Sequence, residues 1–355
     1  MYYSETEARK LVIEAGLRLL ENKLIARTWG NISARISKNE FIITPSGKAY
    51  DSLTPADLVK VRVSDCSYTG NIKPSSEKGV HAAAYSQRNH VGFIIHTHQF
   101  YASVVAAECR NIRTAPCAAY ALPGTTKLKK FVAESIRNNP YEDAFLMARH
   151  GTLLLGSDME EAFAKAEALE NRCKEIVEAR VNLNAKEADG DFDTSKINIR
   201  ALPFVKVVSD PYIMKCCEKG KLVGSYIDDF AQIVGPDMQV VERDEWAAER
   251  ALLGYSTNPS AKGFVSKMPM TGALDRMGGQ QPALNSAIGR NAVLVKGVGA
   301  VCAGKTRSDA EAIAMIVSKN CAAACYTKYA KTLGGIDARL QRYIYLTKYS
   351  KQMEA

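Results

Sequence analysis

Residues 92–98 read GFIIHTH, a short apolar run that ends in two histidines. Phenylalanine and isoleucine in a run of this length favour a β-strand. Since side chains two positions apart in a strand leave the same face, His96 and His98 share one face, and Phe93 and Ile95 share the other. Two imidazoles on one face of a strand indicate either a partly exposed edge strand or a bound metal ion.

A third histidine supports the metal interpretation. His150 follows a second strand-like run, residues 144–149, and all five histidines of the chain lie in its first half. Three imidazoles fixed at the ends of strands are typical of a catalytic zinc site, in which one coordination position stays open for the substrate. The sequence therefore predicts Zn²⁺, or another divalent metal, bound by His96, His98 and His150.

Helices and further strands are predicted on both sides of these histidines. Ser4 and Glu7 form a capping-box pattern, which predicts a helix that continues to about Lys23. The other predicted elements are strands at 40–44 and 59–63 and helices at 77–87 and 158–180. This mixture predicts an α/β domain of three layers, with helices over a mainly antiparallel sheet.

The length of 355 residues favours two domains. The polar stretch 186–200 is the predicted linker between a domain at 1–185 and a second domain at 201–355. No apolar run approaches the roughly 18–20 residues that span a bilayer. The first residues also lack the pattern of a signal peptide, so a cytoplasmic protein without a membrane partner is expected.

One segment of the second half of the sequence resembles a segment of the first half. The segment from Gly297 resembles the segment from Arg149 in its glycine positions and in the alanine-rich helix that follows. Val298 occupies the position that corresponds to His150, so the segment from Gly297 lacks the histidine. The second domain is therefore predicted to be a degenerate α/β copy without catalytic activity.

Charge and cysteine usage exclude several classes of protein. The formal net charge is +9, but the basic residues are dispersed among acidic ones, which argues against nucleic acid and suits anionic small molecules. The nine cysteines include no CxxC pair, which makes a disulfide framework or a zinc knuckle improbable. Buried thiols in a reducing compartment explain them better.

Three short segments are candidate anion sites. Ser75 and Ser76 precede Glu77 at the start of a predicted helix, where unpaired backbone N–H groups favour an anion. The simpler interpretation is that Ser76 caps the helix and Glu77 favours its dipole. Gly30–Asn31 and Thr44–Gly47 are turn residues first, although their glycines also let backbone amides approach a phosphate closely.

Together these segments resemble the class II aldolase/adducin family, whose enzyme members are the fuculose-phosphate-type aldolases. The resemblance covers residues 5–180 approximately. The motifs that carry it, in chain order, are GNISAR (30–35), ITPSG (43–47), SSE followed by HAAAY (75–77, 81–85), HTH (96–98), PCAAY with GTTKL (116–128) and RHGTLLLG (149–156).

The resemblance implies a site and an assembly. The three histidines would bind zinc, while Glu77 would complete the resting coordination or act as the general base. No organic cofactor is implied, and the assembly would be a homotetramer with active sites at subunit interfaces. The residues that would hold the substrate phosphate are Gly30, Asn31, Thr44, Gly47, Ser75 and Ser76.

The implied reaction is the reversible aldol cleavage of a small phosphorylated sugar. Breaking a bond next to a carbonyl leaves an enediolate, and a divalent ion stabilises charge at the place where it develops. One alternative is that the same metal site carries out epimerisation, decarboxylation or dehydration of a related sugar phosphate or sugar acid. A second is a non-catalytic scaffold of the adducin type, against which Glu77 and the three histidines argue, since a scaffold has no use for a metal.

The proton-donating acid does not follow from the motifs. The stretch between Ala107 and Pro116 is shorter than in the fuculose aldolases, in which a loop at this place carries a proton-donating tyrosine. Tyr120 and Tyr343 are the alternatives for this acid.

Residues 299–306, GAVCAGKT, match the phosphate-binding loop of nucleotide-binding proteins. A phosphate loop bends and exposes its amides, whereas the interior of this segment is apolar and typical of a strand. About fifty residues follow, without a later strand whose acid could hold Mg²⁺. The match is therefore predicted to be a coincidence.

Overall fold

The computed structural model describes residues 2–22, 24–25, 29–188, 192–220, 222–252 and 291–349. The chain divides into two compact units, Met1–Arg180 and Val181–Lys351. Among the helices that are described, none is long and apolar enough to cross a membrane.

The first unit contains a seven-stranded sheet. Its elements in chain order are α1 (Glu5–Glu21), β1 (Asn31–Arg35), β2 (Glu40–Ile43), β3 (Val59–Arg62), α2 (Lys78–Gln87), β4 (Phe93–Thr97), α3 (Phe100–Ala106), β5 (Cys117–Ala118), α4 (Thr126–Asn138), β6 (Ala144–Met147), β7 (Gly151–Gly156) and α5 (Met159–Arg180). The strand order is β3-β2-β1-β4-β7-β6-β5. β5 and β6 pair in parallel and the five other neighbouring pairs are antiparallel, which confirms the predicted α/β class with a mainly antiparallel sheet.

Helices cover both faces of this sheet. α2 and α4 pack against each other and share an apolar cluster with strand residues such as Phe41, Ile94 and Phe145. Strand residues on the opposite face, Ile95 and Leu154 among them, are also fully buried, and α3 and α5 pack on β4 and β7. The unit therefore has three layers, as the sequence predicts.

The second unit contains a five-stranded sheet. Its elements are β8 (Phe204–Val208), α6 (Pro211–Lys219), β9 (Leu222–Gly224), α7 (Asp228–Ile233), β10 (Asp237–Val241), α8 (Glu245–Leu252), β11 (Ala292–Val295), β12 (Gly299–Gly304), α9 (Arg307–Tyr326) and α10 (Gly335–Ile344). The strand order is β8-β12-β11-β10-β9. β10 and β11 pair in parallel, and the other neighbours are antiparallel.

The described residues of the stretch predicted as a linker, 186–188 and 192–200, belong to this second unit. Ile197 and Ile199 are buried in its apolar core together with residues of α8 and β11. Two buried isoleucines in an otherwise polar stretch fix its end to the core, so the chain enters the second unit earlier than composition alone suggests.

One part of the fold occurs in both units. β6 and β7 form a hairpin in which Met147 pairs with Gly151, and β11 and β12 form a hairpin in which Val295 pairs with Gly299. In each unit the first strand of the hairpin has a parallel neighbour, β5 or β10. The second strand has an antiparallel neighbour, β4 or β8, and is followed by a long helix, α5 or α9. The two segments that resemble each other in sequence thus have the same topology and register.

The segment that matches the phosphate-loop pattern forms a strand. Every residue of Gly299–Gly304 is buried in β12, and Thr306 is the N-cap of α9, whose hydroxyl accepts a hydrogen bond from the backbone N–H of Asp309. A strand whose amides are paired with neighbouring strands cannot form a cradle around a phosphate.

Candidate metal site

The three predicted histidines meet in the first unit. His96 lies near the end of β4, His98 follows that strand, and His150 lies in the turn between β6 and β7. All three are buried, and their ring centroids are 4.8–5.0 Å apart. One nitrogen from each ring lies within 4.8 Å of the other two, so the three rings can share one metal ion.

A glycine next to this group lets the rings approach one another. Gly151 begins β7, and a Cβ at this position would lie 2.3 Å from the carbonyl oxygen of Thr97. The same Cβ would be 3.3 Å from ring atoms of both His96 and His98. The absence of a side chain at Gly151 is therefore a condition for the observed packing.

Glu77 completes the group. It lies at the N-cap of α2, and its carboxylate oxygens are 3.1 Å from His96 Nε2 and 3.0 Å from His150 Nε2. Burial raises the pKa of Glu77, but the nearby His96 and His150 imidazoles outweigh burial and hold this pKa well below its usual range. Glu77 is therefore a carboxylate, as a metal ligand or a general base must be.

The donor atoms fit a divalent cation. Nδ1 of His96 lies 2.7 Å from the carbonyl oxygen of Thr152, which can only accept, so Nδ1 donates there and Nε2 is the ring nitrogen that would bind a metal. This Nε2 faces a carboxylate oxygen of Glu77 at 3.1 Å and Nε2 of His98 at 3.0 Å. These distances suit a shared ion, since a tetrahedral zinc ion with bonds of about 2.0–2.1 Å spaces its ligands by roughly 3.3 Å.

Ser75, one of the predicted phosphate residues, is joined by hydrogen bonds to Glu77 and to Thr44. The backbone N–H of Ser75 donates to the carbonyl of Thr44 at 3.0 Å, and the Ser75 hydroxyl accepts from the backbone N–H of Glu77 at 3.2 Å. Thr44 and Ser75 are buried, and Ser76 is half-buried. The segments 43–47 and 75–77 are therefore brought to the same place, beside the carboxylate.

The two predicted turn glycines adopt the left-handed region, with φ of 92° at Gly30 and 79° at Gly47. A Cβ at Gly30 would lie 2.5 Å from the carbonyl oxygen of His96, so this glycine is required for the close approach of its turn to β4. The contact of either glycine with a phosphate stays a prediction.

The side chain of Asn31 is engaged inside the protein. Its amide nitrogen donates to Glu77 at 2.9 Å, and its amide oxygen lies 2.5 Å from Nε2 of His81. Sequence reasoning gave no role to His81, although a signal exists: Glu77, His81 and Tyr85 are spaced by four and so lie on one face of the helix. All of these residues are buried.

The two tyrosines considered as the acid belong to different units. Tyr120 follows β5 in the first unit and is half-buried. Tyr343 lies in α10 of the second unit and is 63% exposed. Tyr120 is therefore the candidate that shares a unit with the histidines.

Comparison with known proteins gives several sugar-phosphate aldolases among the relatives. An L-fuculose phosphate aldolase of Methanococcus maripaludis is 30% identical over 166 residues, which are 43% of this chain and 86% of the relative. A 5-deoxy-D-ribulose 1-phosphate aldolase of Bacillus thuringiensis serovar kurstaki is 27% identical over 181 residues, which are 46% of this chain and 80% of the relative. The solved structure of an L-fuculose-1-phosphate aldolase from Thermus thermophilus is 26% identical and covers 48% of this chain and 93% of its own, with a TM-score of 0.41.

The sequence profile described as the class II aldolase and adducin N-terminal domain matches residues 10–177. The named relatives are aldolases, that is, lyases. The profile match and the 30% identity across most of the Methanococcus protein point to the same assignment. The chain therefore belongs to the class II aldolase and adducin family, to which its first unit corresponds.

Proposed function

We propose that this chain is a divalent-metal-dependent aldolase that reversibly cleaves a small phosphorylated sugar. The observation that carries the proposal is the buried group in which Glu77 faces two of the three clustered imidazoles. The relatives named as sugar-phosphate aldolases support the choice of reaction and of substrate class. A scaffold would gain nothing from a buried carboxylate held between histidines.

The donor set defines what each part of the site does. His96, His98 and His150 hold the ion, for which zinc is the proposed identity, and the ion supplies a Lewis acid at the carbonyl side of the bond that breaks. In the condensation direction, Glu77 accepts the proton from the carbon next to the carbonyl, which leaves an enediolate. In the cleavage direction, Glu77 returns a proton to that carbon.

The phosphate binds away from the reacting carbons and positions the sugar. Its proposed contacts come from the turns and the helix start beside the carboxylate, at Gly30, Asn31, Thr44, Gly47, Ser75 and Ser76. Backbone amides at the start of α2 suit an anion because they have no partner within the helix.

For the second unit we propose a degenerate, non-catalytic role. By strand register, Val207 in β8 corresponds to His96 in β4, since their partners Val301 and Leu153 occupy equivalent positions in the two hairpins. Val298 occupies the turn position of His150. Valine cannot bind a metal, so these two positions provide no ligand. The proposed assembly is a homotetramer of the whole chain, which light scattering would measure.

The decisive experiment is metal analysis of the purified chain, followed by a cleavage screen with fuculose-, rhamnulose- and ribulose-type phosphates. We expect bound divalent metal and cleavage of at least one of these substrates, with loss of activity on metal removal and recovery on its return. Full metal occupancy without any cleavage would favour epimerisation, decarboxylation or dehydration at the same site.

Two histidine variants test the site itself. His96→Ala removes one of the three imidazoles, so we expect loss of the bound metal and of cleavage. His90→Ala is the matched control, because His90 is exposed and pairs with Asp143 outside the cluster. If His96→Ala kept the metal as firmly as His90→Ala does, the proposed site would be wrong.

A further inference from the structure

A chain of buried hydrogen bonds leads away from Glu77 into the core. Asn31 Nδ2 lies 2.9 Å from the Glu77 carboxylate, and Asn31 Oδ1 lies 2.5 Å from Nε2 of His81. His81 Nδ1 lies 2.7 Å from the hydroxyl oxygen of Ser33, which is 2.8 Å from the hydroxyl oxygen of Tyr85. His81, Ser33 and Tyr85 have no exposed surface, so water does not compete for these contacts.

The donor and the acceptor of every hydrogen bond in this series follow from the Glu77 carboxylate at its end. A carboxylate only accepts, so Asn31 presents its NH₂ group to Glu77 and its oxygen to His81. The amide oxygen only accepts, so His81 carries its proton on Nε2 and accepts from Ser33 at Nδ1. The Ser33 hydroxyl proton is used there, and the Tyr85 hydroxyl therefore donates to the Ser33 hydroxyl oxygen, with the Ser33 backbone carbonyl as a second acceptor at 3.1 Å. All donors are aligned toward the carboxylate.

We propose that Asn31 and His81 are positioning residues that hold the carboxylate of Glu77 in place for the metal and the proton. The inference rests on the proposed role of Glu77. An asparagine amide fits its surroundings in two orientations, and only the orientation fixed by His81 gives Glu77 a donor rather than an opposing oxygen.

The environment of His81 suits a fixed dipole rather than a proton carrier. Burial, and then the neighbouring His96, lower the pKa of His81 to about 3, so the ring stays neutral. Hydrogen bonds that are aligned in series inside a low-dielectric core strengthen one another. A change at His81 therefore alters the hydrogen bond that Asn31 donates to the Glu77 carboxylate.

Two substitutions at one position separate orientation from packing. His81→Phe keeps a ring of similar size but removes the donor to Asn31. His81→Gln keeps an N–H group at the place of Nε2. Zn²⁺ affinity is measured by competition against a chelator, with kcat and KM where the chain cleaves a sugar phosphate.

For His81→Phe we expect a loss of Zn²⁺ affinity or of kcat of about tenfold or more, the range typical of residues that orient metal ligands. His81→Gln should recover most of that loss. Ser86→Ala, which removes a hydroxyl from another face of α2, should match the parent. Equal Zn²⁺ affinity and kcat in the folded parent and in folded His81→Phe would overturn the inference.

If His81→Phe does not fold, Ser33→Ala replaces it, because it removes only the hydroxyl that fixes the His81 tautomer. We then expect a smaller loss in the same direction, and no loss in folded Ser33→Ala would overturn the inference. Asn31→Leu gives a second decision: a lower kcat at constant KM supports positioning, and a higher KM at constant kcat supports a phosphate ligand. Should the parent cleave no sugar phosphate, the proposed function fails, while the Zn²⁺ affinities still decide the role of His81.

Discussion

Glu77 is placed where one carboxylate can serve both the metal and the proton. Glu77→Gln keeps the size of the side chain but removes the negative charge and the ability to accept the substrate proton. We expect kcat for cleavage to fall by about 10²–10⁴-fold, the usual contribution of general acid–base catalysis, because Glu77 returns the proton in this direction, while part of the metal is retained by the three histidines. Steady-state kinetics together with metal analysis check this. A Glu77→Gln variant as active as the parent would show that another group is the base.

Gly151 is the residue on which the spacing of the imidazoles depends. A methyl group here meets the carbonyl of Thr97 at 2.3 Å, so β4 and β7 must separate beside the histidines. For Gly151→Ala we expect about 1–3 kcal/mol of destabilisation, the usual cost of overpacking, and weaker metal binding. Gly299→Ala is the control in the second unit, because its methyl meets the carbonyl of Val208 at 2.4 Å, and its φ of 126° adds a backbone cost.

Urea unfolding and chelator competition separate the two glycine variants. Both should lose stability, and Gly151→Ala alone should lose metal affinity. Equal metal affinities in the two variants would mean that the histidine group tolerates movement of β7.

The period of a strand predicted that His96 and His98 share one face, and the structure brings these two rings together with His150. The engagement of the Asn31 side chain was not predicted. Its partners, Glu77 and His81, are 46 and 50 residues away in the sequence, and local patterns carry no information on such pairs. A residue whose sequence context predicts a turn or an anion contact can therefore have its side chain hydrogen-bonded to other side chains.

At the level of elements, local signals predicted α1 well and missed β1. Ser4 accepts a hydrogen bond from the backbone N–H of Glu7, and the helix that it caps ends at Glu21, close to the predicted end. β1 (Asn31–Arg35) was missed because it begins with a glycine–asparagine turn signal and alternates polar with apolar residues. Its polar face is buried, whereas such a face normally meets solvent, so pattern alone gives no reason to place it in the centre of a sheet.

α3 begins two residues after His98 and lacks a cap from its own N-terminal residue. Glu170 of α5 replaces that cap by accepting from the backbone N–H groups of Tyr101 and Ala102 at 2.8 and 3.0 Å. For Glu170→Ala we expect about 1–2 kcal/mol of destabilisation, from the lost cap and the lost charge at the helix N-terminus. The urea midpoint measures it.

Glu175 provides the control for this helix start. It lies on the same helix α5 and forms an exposed ion pair with Arg172, so Glu175→Ala should cost at most about 1 kcal/mol. Equal urea midpoints for the two variants would show that the cap of α3 does not contribute to stability.

At the scale of the whole molecule, the first unit has a histidine group that could hold a metal ion, and the described residues of the second unit repeat part of its topology without such a group. The order β4-β7-β6-β5 recurs as β8-β12-β11-β10, although composition alone did not predict the order of strands. Sequence similarity identified the second strand of each hairpin and the helix that follows it. Sequence similarity between the two halves did not identify the remaining strands. One apolar residue readily replaces another in a core, so the original residues are no longer recognisable.

The repeated topology leads to a prediction on stoichiometry. Val207 and Val298 occupy the positions of His96 and His150, two of the proposed metal ligands, and no histidine follows His150 in the chain. We expect one divalent ion per chain in the parent and none in His96→Ala, measured by elemental analysis against protein concentration. An ion that persists in His96→Ala would have to bind elsewhere, and the neighbouring thiols of Cys216 and Cys325, 4.0 Å apart, would be the first place to look. Such a result would contradict the view that the second unit has lost its metal chemistry altogether.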